Sequence, residues 1–203
     1  MQRVMSALEV IQAGAVLAGC NPPSSLDVGS SAEATLANQV YENLLGAELS
    51  AMKWNFATRQ IVLSRQDDEP DSGYSAMYLI PPDANVMSVE AVRVDNSTID
   101  YDIFENMVHC DAGENSTVVM IYQARIDEQY WPPFFAMAMI YRMTSTFAFS
   151  IARKADIGSS YSEMAEMWFR KARSRDSQQV TASGLRLGRF TAARRGRGLT
   201  QSV

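Results

Sequence analysis

Side-chain chemistry near neutral pH is most often carried by histidine, by paired carboxylates or by a cysteine thiolate, and this chain holds a single histidine, His109. One imidazole excludes a metal centre built from several histidines, and any Ser/His/Asp or Cys/His device would have to use His109 alone. Its neighbours Cys110 and Asp111 fit no nucleophile motif, and adjacent residues of a strand point to opposite faces. His109 is expected to be an ordinary strand residue. The two cysteines, Cys20 and Cys110, lie far apart, lack zinc spacing and are expected to be reduced thiols. No glycine-rich loop follows a strand and opens a helix, so a phosphate cradle is absent. Asp67, Asp68, Glu69 and Asp71 crowd one segment, which reads as a solvated turn rather than a metal site. The chain is expected to be no enzyme, and neither a cofactor nor a metal is expected.

Charge is the stronger signal. The 203 residues carry a net charge of -5. From Ser177 to Val203 there are five arginines (Arg186, Arg189, Arg194, Arg195 and Arg197) and no acid, so this stretch is basic while the remainder is acidic. Between Gln66 and Asp127 thirteen acids face only Arg93 and Arg125. An acidic body and a basic tail are expected to meet different partners. Arg194-Arg195-Gly196-Arg197-Gly198 is similar to the RGG-type segments that bind nucleic acid, which makes a nucleic-acid-binding protein the alternative reading. Five charges would bind DNA weakly and in a salt-dependent way.

The elements that must position these groups follow from periodicity and punctuation. A first helix is expected over Ser6 to Ala18, opened by a Ser6/Glu9 capping box, with Leu8, Ile11, Ala15 and Ala18 on one face. Gly19, Pro22 and Pro23 stop it. Leu17-Ala18-Gly19-Cys20 is similar to a lipoprotein cleavage box, but Glu9 and Gln12 interrupt the apolar stretch a signal would need. A second helix is expected from a Ser30-x-x-Glu33 box to Lys53, with a stripe of Leu36, Val40, Leu44, Ala47 and Ala51. Asn38, Gln39, Glu42 and Asn43 should turn away. The middle changes to short runs: Gln60 to Arg65, Ala76 to Ile80, Val86 to Val94, Tyr101 to Phe104 and Thr117 to Gln123. Turn clusters separate them, and one small antiparallel sheet of four or five strands is expected.

Helical signals return at Trp131-Pro132-Pro133, since proline suits a first helical turn. Phe134 to Ile151 is apolar almost all round, but Arg142 at its centre argues against a membrane span. Such a helix belongs among other helices, and its methionines and aromatic residues are core rather than a cofactor box. A last helix is expected from a Ser160-x-x-Glu163 box to about Asp176, with Tyr161, Met164, Ala165, Trp168 and Ala172 on one face. The whole reads as an α+β protein, a four-helix bundle (1–55 and 131–176) with an inserted small antiparallel β domain (56–130) and an extended basic C-terminal arm (177–203).

The order of features resembles a known family. Met52-Lys53-Trp54-Asn55-Phe56-Ala57 closes the second helix, and Tyr78-Leu79-Ile80-Pro81-Pro82-Asp83, Tyr101-Asp102-Ile103 and Val119-Met120-Ile121-Tyr122 follow before the apolar helix. From about Ala7 to Asp176 this resembles the tail tubular protein A family of short-tailed phages, the portal-to-tail adaptor or head-to-tail connector. The resemblance implies a virion structural protein at the head-tail interface, assembled in the host cytoplasm as a ring of copies, dodecameric in that family. Its implied partners are the portal protein, a downstream tail or nozzle protein, and genomic DNA passing through the channel without specific binding. No membrane partner is implied. The chain lacks an extra tube-forming region, so an adaptor without nozzle function is expected. Leu185, Arg186, Leu187, Arg189, Phe190, Arg194, Arg195 and Arg197 would form the arm that grips the portal. Trp54 and Phe56 are expected in the core where helix meets sheet.

Overall fold

A computed structural model describes residues 5–27, 29–68 and 70–179. The arm residues Leu185, Arg186, Leu187, Arg189, Phe190, Arg194, Arg195 and Arg197 lie outside the described residues. The fold is α+β: four α-helices and two antiparallel four-stranded sheets.

Helix α1 spans Ala7–Ala18 and starts as the sequence implies. Ser6 Oγ accepts from the Glu9 N–H, and the Glu9 carboxylate accepts from the Ser6 N–H at 3.1 Å. Gly19, with φ 77°, closes it in the left-handed conformation. Helix α2 spans Ala32–Ser50 and is capped by Ser31, not Ser30, because it is the Ser31 hydroxyl that reaches the Ala34 N–H at 3.0 Å. The expected stripe is also displaced. Ala34, Ala37, Tyr41, Leu45 and Leu49 are buried, whereas Leu36, Val40 and Leu44 are only half-buried and Ala47 is exposed. Asn38, Gln39, Glu42 and Asn43 do face outward.

The expected single sheet is two sheets. Strands β1 (Thr58–Val62) and β2 (Ser64–Arg65) divide one expected run. The buried Leu63 between them is the point where the chain leaves the first sheet for the second. Strands β3 (Ala76–Leu79), β4 (Val86–Val94), β5 (Ser97–Ile99), β6 (Tyr101–Phe104), β7 (Met107–Cys110) and β8 (Val118–Ala124) follow. The sheet orders are β1-β8-β4-β5 and β2-β3-β7-β6. Two hairpins carry much of this. Asp95-Asn96 joins β4 to β5 and Glu105-Asn106 joins β6 to β7, all four residues having positive φ. Two successive left-handed residues match the twist of paired strands; Asp95, Asn96 and Asn106 tolerate that conformation, and Glu105 adopts it at the cost the turn imposes.

Helix α3 (Pro133–Ser150) begins at the expected prolines, with Pro132 as its cap. Helix α4 (Ala155–Ser177) begins five residues before Ser160, so Ser160 and Glu163 lie inside it rather than capping it. The tight link from Ser150, with Arg153 at φ 53°, turns the chain directly into α4. The Ser145 hydroxyl then donates to the Gly158 carbonyl at 2.8 Å, fixing the start of α4 against α3. Packing has overridden the local cap signal.

Helix α3 is the centre of the helical layer, with α1 and α4 packed along it and α2 set between α3 and strands β4 and β8. Gly14 permits the α1 contact, since a Cβ there would stand 2.9 Å from Met143 Cβ. Phe135 is fully buried and meets Trp54 and Trp131 edge-on, each ring centre 5.0 Å away, and Phe169 at 5.8 Å. Trp54, as expected, is fully buried where α2 gives way to β1; Phe56 packs partly buried beside it. One connected cluster of buried residues runs from the helices into both sheets.

Candidate functional site

Polar groups that are buried must find partners, and here those partners join the layers. Arg142, midway along α3, reaches Glu48 of α2 at 2.7 Å and Glu166 of α4 at 2.5 Å, so the charge inside the apolar helix is a three-helix tie. Arg125, just after β8, holds Glu42 of α2 and Glu128, while the Tyr41 hydroxyl donates to Glu128 at 2.9 Å. Burial, then the Glu128 charge, pushes the Tyr41 hydroxyl well above its ordinary pKa, so it stays a donor. No helix among the described residues is long and apolar enough to cross a membrane.

The arm leaves from a defined place. Ser177 ends α4, and Gln178 and Gln179 border a groove of about 470 Å³ with Trp54, Phe56, Phe134 and Arg175. Immediately before, Asp176 accepts hydrogen bonds from the N–H groups of Asn55 and Phe56. Sequence reasoning missed Asp176 as a junction, because nothing near it in sequence marks a partner so distant along the chain.

Two flanks of the helical layer keep apolar side chains in solvent. On the α1 side Val16 is 58% and Leu17 42% exposed beside a groove of about 630 Å³ lined by Ala13, Met137 and Ile140. On the α4 side Met167 is exposed, next to Met164 and Arg170. At the far end of α3 Phe149 is also exposed, unlike the buried Phe135, Met139, Met143 and Phe147.

His109 sits on β7 and pairs in register with Met77 and Asp102 of the neighbouring strands. It is buried, its Nδ1 lies 2.7 Å from the Ser72 hydroxyl, and Phe104 stands edge-on at 5.2 Å. No partner reaches its Nε2. Asp68 and Asp71 of the acidic turn are exposed, and they border the same cavity as His109. Ser72 thus brings a hydroxyl to the ring, whereas Cys110 is fully buried on the next position, and burial, followed by the Asp111 charge, pushes its thiol up to about 11. Among the described residues no three histidine, cysteine or carboxylate side chains gather where they could hold a metal ion.

No family model matches the chain, and no curated protein matches it either.

Proposed function

We propose that this chain is a non-enzymatic virion structural protein, the adaptor ring that joins the portal to the tail of a tailed bacteriophage and forms part of its DNA channel. The observation that carries the reading is the pair of unlike apolar flanks: Val16 and Leu17 on α1, Met167 on α4, with α3 enclosed between them. A face that must pack on a different face of the next copy generates a head-to-tail assembly, and a head-to-tail assembly that closes is a ring. In such a ring the four helices of neighbouring copies complete one another's burial as a continuous bundle. The acidic segment between Gln66 and Asp127 supports a channel that lets DNA slide, because like charge repels phosphate. The arm with Leu185, Arg186, Leu187, Arg189, Phe190, Arg194, Arg195 and Arg197 docks on an acidic surface of the portal, and the β domain receives the next tail component.

The test is direct. Purified portal is mixed with the full chain and with a chain ending at Gln179, and the complexes are sized and imaged by electron microscopy. Rings on the portal with the full chain, and none with the shortened one, support the proposal. A chain that stays solitary on its own and beside the portal overturns it. Tight, steeply salt-dependent DNA binding that vanishes with the arm would favour a nucleic-acid-binding protein instead.

A further inference from the structure

The cavity beside His109 answers to a ligand of definite chemistry. It measures about 570 Å³, with Met77, Phe104 and Met107 as apolar wall and Asp68, Asp71 and Glu105 as carboxylates. His109 is only 6% exposed, yet its Nε2 has no hydrogen-bond partner. When Nδ1–H donates to the Ser72 hydroxyl, Nε2 carries a lone pair that needs a donor. Phe104 stands edge-on to the imidazole and is itself 48% exposed, so it lies between Nε2 and solvent without being locked in the core. An apolar wall, a carboxylate rim and, in the tautomer with Nδ1–H on Ser72, an orphan acceptor together match a guanidinium group. Its plane stacks on an aromatic ring, its fork meets carboxylates bidentately, and it has donors to spare.

We propose that this cavity binds arginine, and that its occupant is the chain's own segment 180–203. That segment carries five arginines and no acid, and Leu185-Arg186-Leu187 and Arg189-Phe190 set apolar residues beside the charge. The region bearing the cavity has the opposite sign, thirteen acids against two arginines between Gln66 and Asp127. Reach is ample: the segment extends to roughly 80 Å beyond Gln179, and the folded body is roughly 40 Å across. Tethering raises the local concentration to the millimolar range, enough for a modest contact to be occupied. The contact stands whether or not the portal reading holds. Where it does hold, portal and cavity compete for the same arginines.

The single histidine makes the experiment clean, because one imidazole gives one pair of ring-nitrogen signals. Those signals are compared by NMR in the full chain and in a full-length variant with Arg186, Arg189, Arg194, Arg195 and Arg197 all changed to Gln. The Nε2 signal is expected to differ between them. A synthetic peptide of residues 180–203 added to the variant should restore the native position, and the same peptide with glutamines should not. Combining Asp68→Asn, Asp71→Asn and Glu105→Gln in the variant should weaken the peptide by about tenfold or more. Identical signals in chain and variant, with no response to the peptide, overturn the proposal. A native signal that moves on dilution places a second copy's segment in the cavity and overturns the assignment to the same chain.

Discussion

The Asp176 carboxylate accepts the Asn55 N–H at 2.6 Å and the Phe56 N–H at 3.3 Å, and the Asn55 side-chain amide donates back to the Asp176 carbonyl at 2.9 Å. A residue at the end of the last helix thus satisfies the backbone at the exit of the second. Asp176 is buried, so these bonds replace water rather than compete with it.

Asp176→Ala strands two backbone donors, and the expected loss is about 2–4 kcal/mol of unfolding free energy. Urea denaturation followed by circular dichroism measures it. Asp176→Asn, which keeps one acceptor, should lose less than alanine.

Gln123 is a second junction of this kind. Fully buried on β8, it accepts from the Trp54 N–H at 3.0 Å and donates to the Thr58 hydroxyl at 2.9 Å. Gln123→Leu fills the space but leaves the Trp54 donor unpaired. A cost of about 1–3 kcal/mol is expected, together with a change in the tryptophan fluorescence of the native state.

The Arg142 tie should show the asymmetry of buried charge. Arg142→Met abandons two carboxylates, of which Glu48 is the more enclosed, and should cost about 2–4 kcal/mol. Adding Glu48→Gln and Glu166→Gln should recover much of that loss, because no charge is then left without a partner. A thermal melt of the single and triple variants separates the two outcomes.

The Cys110 thiol gives the pH prediction. Its folded value is raised from 9.0 to about 11 by burial, so the folded state holds the proton more tightly than the unfolded one. The linked stability is fully present below pH 9 and is lost as the pH rises through about 11. At neutral pH a thiol reagent should therefore modify the partly exposed Cys20 first and reach Cys110 only on unfolding.

Gly14→Val should push α1 off α3, since even one carbon would stand within 2.9 Å of Met143 Cβ. About 1–3 kcal/mol of destabilisation is expected from the overpacking. Met143→Ala in the same chain keeps that Cβ and the backbone behind it and should not relieve the clash, so denaturation midpoints of the two changes should add.

The helices were legible where the signal was local. The Ser6/Glu9 box and the prolines before α3 act on their own backbone and appear where the sequence puts them. The Ser160/Glu163 box failed because the turn at Arg153 and the Ser145 contact, both tertiary, start α4 earlier. The second sheet escaped notice because one buried residue, Leu63, reassigns the end of a continuous β run, and periodicity does not report which sheet a strand joins. The Glu105-Asn106 hairpin was missed because Glu105, unlike Asp95 of the Asp95-Asn96 turn, is not a residue that marks turns. At the cavity the acidic turn and His109 were each visible, and their meeting was not, because it depends on strand register.

The Asp176–Asn55 junction also has a mechanical meaning. Asp176 is the penultimate residue of α4. A pull on the end of α4 therefore reaches the junction before it can peel the helix away turn by turn. The load passes sideways into the root of β1 and must shear several bonds together, so the body should resist tension through its terminus better than a frayed helix end would.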